Sequence, residues 1–139
     1  MTTLHLEAFE TTLQKTASWL KEVMHELGTD DRHRAYSALR AVLHALRDRL
    51  TVEEAAQLGA QLPMLIRGFY YEGWDPSGKP RKERHREEFL AHIRSALRDE
   101  PDPERVARAV FAVLARRVSE GEIEDVKQML PRELREFWP

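Results

Sequence analysis

Apolar residues in the first part of the chain recur in alternating steps of three and four. Leu6, Phe9, Leu13, Ala17, Leu20, Met24 and Leu27 draw one stripe along a helix running from about Thr3 to Leu27, and Trp19 and Val23 widen that stripe. Gly28 is a natural stop, because glycine takes the left-handed C-cap conformation cheaply. Asp30 or Asp31 then caps a second helix carrying Ala35, Ala38, Leu39, Val42, Leu43, Leu46 and Leu50. Its other face reads Arg32, Arg34, Arg40, Arg47 and Arg49, with few acids to match. Thr51-Val52-Glu53-Glu54 is a capping box in which Glu54 is expected to reach back to the cap. The third helix follows with Ala55, Ala56, Leu58 and Leu62, and Pro63 opens a short fourth reaching about Tyr70.

Gly73-Trp74-Asp75-Pro76-Ser77-Gly78-Lys79-Pro80 reads as a linker, with two prolines and two glycines in eight residues. A fifth helix carries Phe89, Leu90, Ile93, Ala96 and Leu97. Asp102-Pro103-Glu104 starts a sixth with Val106, Val110, Phe111, Val113, Leu114 and Val118. Ser119-Glu120-Gly121-Glu122 is a second capping box, opening a seventh helix with Ile123, Val126, Met129 and Leu130. Pro131 opens the eighth. The expected class is all-α.

A shift of 68 positions lays Ala38–Tyr70 on Val106–Trp138 without a gap, with ten identities in 33 positions. Arg40 falls on Arg108, Leu62-Pro63 on Leu130-Pro131, Arg67 on Arg135 and Phe69 on Phe137, and the two capping boxes superpose. This predicts two pseudo-repeated four-helix halves, about 3–72 and 81–138, joined by the linker at about 73–80 and packed on a shared core as one domain over 1–139.

Composition narrows the function classes. A formal charge of −2 leaves nucleic acid only a local basic patch. The absence of cysteine removes disulfides, thiol catalysis and Cys-based metal sites. The segment Met1–Glu7 has neither a basic region nor an apolar run, so no signal peptide is expected, and no apolar run approaches the roughly 20 residues of a membrane span. A cytoplasmic protein with no membrane partner is the expectation.

The run Leu39–Leu50, then Ala60-Gln61-Leu62-Pro63, then Arg67-Gly68-Phe69-Tyr70-Tyr71-Glu72-Gly73-Trp74 resembles the bacterial domain-of-unknown-function family 2267, as does Trp19-Leu20-Lys21-Glu22. The resemblance covers nearly the whole chain. It implies a small all-helical cytoplasmic protein and brings no reaction, cofactor or catalytic residue.

Candidate chemistry is sparse. Glu22-Val23-Met24-His25 has the spacing used by di-iron bundles, but that site needs the motif twice, and near Glu88 the nearest histidine, His92, falls one residue too far on. Glu88 and His92 read as a helix-surface pair, and His44 as a hydrogen-bonded packing histidine. Neither a metal site nor a cofactor is expected, and no nucleophile elbow or phosphate loop occurs. Two groups remain. Arg67, Tyr70, Tyr71, Glu72 and Trp74 could wall a pocket for a polar ligand, or else plug a seam between the halves. Lys79, Arg81, Lys82, Arg84 and Arg86 form a basic patch diluted by Glu83, Glu87 and Glu88. The leading reading is a non-enzymatic module that binds a protein partner or itself. A small-ligand-binding protein or undescribed enzyme comes second, and a weak nucleic-acid binder third.

Overall fold

The computed structural model describes residues 5–97 and 102–139. Eight helices and no strand occur among them: α1 (Glu7–Leu27), α2 (Arg32–Arg49), α3 (Val52–Gly59), α4 (Met64–Tyr71), α5 (Arg86–Ala96), α6 (Pro103–Arg117), α7 (Glu120–Met129) and α8 (Arg132–Arg135). The expected all-α class is the one observed. Thr3, the expected start of the first helix, lies outside the described residues, and α8 is a single turn.

Caps and breakers set most boundaries. Gly28 ends α1 at φ 67°, in the left-handed region. Asp31 accepts from the N–H groups of His33 and Arg34 at 2.9 and 3.4 Å, and Asp102 does the same for Glu104 and Arg105 at 3.1 and 3.3 Å. Thr51 and Ser119 cap α3 and α7 through Glu54 N and Glu122 N. Neither glutamate completes its capping box. The N–H of Ser119 is instead taken by Gln61 Oε1 at 2.8 Å, and Gln61 Nε2 donates to Ser119 Oγ at 2.8 Å.

α2 and α6 are the central helices. α1 lies across both, α4 packs on α1 and α2, α5 packs on α2 and α6, and α3 meets α7. One buried apolar cluster takes residues from every helix. Its aromatic part is Phe89, Phe111, Phe137 and Trp138, with Phe111 and Trp138 stacked at 4.2 Å between ring centroids.

The burial of α1 corrects the sequence expectation. Its core face is Thr12, Thr16, Trp19, Val23 and Leu27. Leu6, Phe9 and Leu13, expected to lead the buried stripe, are 47%, 44% and 58% exposed. Ala17 is exposed as well. Two adjacent stripes were available on this helix, and the one with the large Trp19 ring faces α6, where burying a big aromatic gains most. Farther along, Arg116 and Arg117 of α6 pair with Glu22 and Glu26 of α1, and Arg105 Nη2 donates to Leu27 O at 2.7 Å, satisfying the helix end.

The arginine face of α2 runs from an exposed Arg32 to an enclosed end. Arg47 and Arg49 are buried. They hold the chain that leaves α4.

Candidate functional site

α4 is eight residues long, too short to be stable alone, and both its ends are satisfied by neighbours. At the front, the hydroxyl of Thr12 on α1 accepts from Leu65 N at 2.9 Å. At the back, Arg47 donates through Nη1 to the carbonyls of Tyr70 and Glu72. His44 Nε2 lies 2.6 Å from Phe69 O, so the ring donates from Nε2. Burial holds its pKa below the usual histidine range, although the bond to Phe69 opposes that shift.

Held this way, α4 forms one wall of an open cleft of about 900 Å³, with α1 and α2 as the others. Leu20, Tyr36, Leu65, Phe69 and Tyr71 give it an apolar lining, and Arg32 and Glu72 bring charge to it. Tyr36 and Phe69 meet edge to face at 5.3 Å. Thr16 contributes a buried hydroxyl that has no hydrogen-bond partner among the described residues. Gly68 opens into this cleft: a Cβ built there meets nothing within 4 Å. Glycine inside a helix costs roughly 1 kcal/mol relative to alanine, and here no steric contact requires it.

The five residues singled out as a ligand site are placed on different surfaces. Tyr70 is fully buried and donates its hydroxyl to Ala55 O at 2.7 Å, and burial pushes its pKa well up. Tyr71 packs between Tyr70 and Trp74, at 4.9 and 5.3 Å between centroids, and one side of it reaches the cleft. Glu72 also borders the cleft and accepts from Arg40 Nη2 at 2.6 Å, which holds its carboxyl below the usual range. Trp74 is half-buried, with its Nε1 enclosed and unpartnered among the described residues. Arg67 lines a separate, smaller groove of about 590 Å³ with Thr12, Lys15 and Met64.

The basic residues after the linker are largely occupied within the fold. Lys79 lies 3.9 Å from Asp48, and Arg81 donates its N–H to Asp48 O at 2.8 Å while its guanidinium lies 3.5 Å from Glu83. Arg86 pairs with Glu104 and Glu136, stands over Phe137, and donates its backbone N–H to Glu133. Lys82 and Arg84 are exposed and make no ion pair among the described residues. Beneath them, His92 sits between two buried carboxylates, 3.6 Å from Asp48 and 3.1 Å from Glu83, rather than pairing with Glu88. Arg49 Nε adds a bond to Glu83 O at 2.9 Å. Glu22 turns to Arg116 and Arg117 rather than to His25.

Neither the cleft glycine nor the capping role of Thr12 was drawn from the sequence. The Gly68 signal was available, because a lone glycine between Arg67 and Phe69 has no turn to make. Thr12 had none, since its partner lies 53 residues away.

A search of curated proteins returns no match. The family profile described as "Uncharacterized conserved protein (DUF2267)" matches residues 16–137, which takes in every helix just described except the first turns of α1, and the chain therefore belongs to that family.

Proposed function

We propose that this chain is a non-enzymatic, self-associating helical module whose working surface is the α1/α2/α4 cleft together with the outer stripe of α1. The observation that carries this reading is that Leu6, Phe9 and Leu13 stay exposed on the face of α1 that runs down to Thr16 and Leu20 in the cleft wall. Leu65 of α4 and Tyr36 of α2, at 41% and 39% exposure, line the same cleft. Exposed large apolar side chains grouped in this way support an interaction site. A second copy suits it. Two-fold packing would lay each Leu6-Phe9-Leu13 stripe against the other copy's cleft, an isologous arrangement that closes on itself. Charge is complementary in the same arrangement, with Glu7 and Glu10 in the first turn of α1 and Arg32 at the cleft.

Light-scattering mass across a concentration series tests this. The native chain is expected to rise from monomer toward dimer by about 100 μM, as a micromolar-to-submillimolar interface would. Leu13→Glu and Gly68→Leu are expected to remain monomeric with unchanged or higher melting temperatures, since neither position is packed in the monomer. A native chain that stays monomeric throughout sinks the reading.

A second reading, a small apolar ligand in the cleft, is favoured by the cleft's volume of about 900 Å³ and by its lining of Leu20, Tyr36, Leu65 and Phe69. Under that reading, long-chain or aromatic carboxylates raise the melting temperature of the native chain and not that of Gly68→Leu.

A further inference from the structure

The meeting of α3 and α7 brings together three carboxylates that the cleft does not involve. Glu54 and Glu122 are 5% and 7% exposed, and each has an Oε2 that is enclosed and without a hydrogen-bond partner among the described residues. Asp125, one turn farther along α7, is exposed. One oxygen from each of the three lies within 4.8 Å of the other two. Among the described residues no lysine, arginine or histidine forms an ion pair with any of them.

Ordinary capping does not account for this placement. A glutamate three residues into a helix satisfies the N-cap N–H by folding back. At α7 that N–H is already bonded to Gln61, so Glu122 is released to face Glu54 instead. Two enclosed carboxylates in contact cannot both stay ionised without a counter-charge. The two helix N-termini supply only about half a unit charge each. A bound cation would supply the missing counter-charge.

We propose that Glu54, Glu122 and Asp125 form a binding site for a hard divalent cation of the magnesium, manganese and calcium class, bridging α3 to α7. The ligand set is all oxygen, which suits this class over metals that prefer nitrogen or sulfur. The two enclosed carboxylates provide the anionic floor. Asp125 stands at the open side, where the cation enters and where water completes its shell.

Manganese(II) is the probe, titrated into the full-length, metal-stripped chain and followed by loss of the free-ion electron paramagnetic resonance signal and by melting temperature. One manganese ion per chain is expected at about pH 8. Glu54→Gln and Glu122→Gln keep the shape of the pair and are expected to stay folded while binding roughly tenfold or more weakly, with a smaller loss for Asp125→Asn. Two results overturn the proposal. One is a folded native chain that binds neither manganese nor calcium below about 1 mM at about pH 8. The other is equal binding by the native chain and both glutamine variants.

Discussion

Single residues in this fold do more than fill space, and two of them make clear predictions. Arg47 is 4% exposed and holds two carbonyls at the end of α4 besides contacting Asp48. Arg47→Ala leaves those groups enclosed and unpaired, and the expected loss is about 3 kcal/mol in a denaturant titration. Arg47→Lys should recover little of it, because a single ammonium lacks the forked geometry that reaches both carbonyls. Gly59 sets two effects against each other. As a helix residue it would gain up to about 1 kcal/mol on becoming alanine. Its new Cβ, however, would lie 2.8 Å from Tyr71 Cζ and 3.1 Å from Tyr70 Cε2. Tyr71 is held between Tyr70 and Trp74 and has little room to yield, so overpacking at about 1–3 kcal/mol wins. Gly59→Ala is expected to lower stability, and removing the ring in Gly59→Ala/Tyr71→Ala to cancel that added cost relative to Tyr71→Ala alone.

At the scale of elements, the sequence was most informative where the signal is local. Asp31, Thr51, Asp102 and Ser119 cap as their spacing indicates, and Gly28 ends α1. Periodicity identified α1 as a helix but not which of its two adjacent stripes faces inward. That choice depends on what α2, α4 and α6 offer, and it went to Trp19 and Val23. The outward stripe is the consequence, and Phe9→Glu should therefore abolish association while shifting the melting temperature by no more than ~2 °C. Glu54 and Glu122 show a different limit. Their capping-box spacing gave a sufficient local reason for their presence, which concealed that they meet each other 68 residues apart. Likewise, Tyr70, Tyr71, Glu72 and Trp74 are adjacent in sequence, yet a helix turns neighbours to different sides, so Tyr70 enters the core while Glu72 stays at the surface.

The molecule as a whole carries opposing carboxylate linkages. Glu72, Glu104 and Glu133 are held below the usual range by arginine side chains or backbone N–H groups, so their contributions are present above the unfolded value and fade as acid protonates them. Glu122 has the opposite sign. Its carboxyl is pushed up to about 8 by burial and by Glu54. Its contribution is therefore complete below the unfolded value of about 4.3 and is lost as pH rises through the folded one. With metal chelated, the melting temperature should peak on the acid side of neutrality and fall toward pH ~8. Glu122→Gln should flatten that fall, and a thermal-melt series across pH reads it directly.

The connection between α4 and α5 has a consequence for handling the protein. Before the exposed Ser77-Gly78 pair, the chain is fixed by Arg47 at Glu72 and by an Asp75 turn that accepts from Ser77 N at 3.0 Å. After the pair, it is fixed by Asp48 at Arg81 and by Arg49 at Glu83. A break at Ser77-Gly78 would sever the backbone while leaving every one of these attachments in place. Two peptides, 1–77 and 78–139, should thus reconstitute the native assembly when mixed, and a reporter sequence inserted at this joint should be displayed without disturbing either neighbour. Such a split would offer a genetically encodable switch, with complementation of the pieces read out as recovered helical signal.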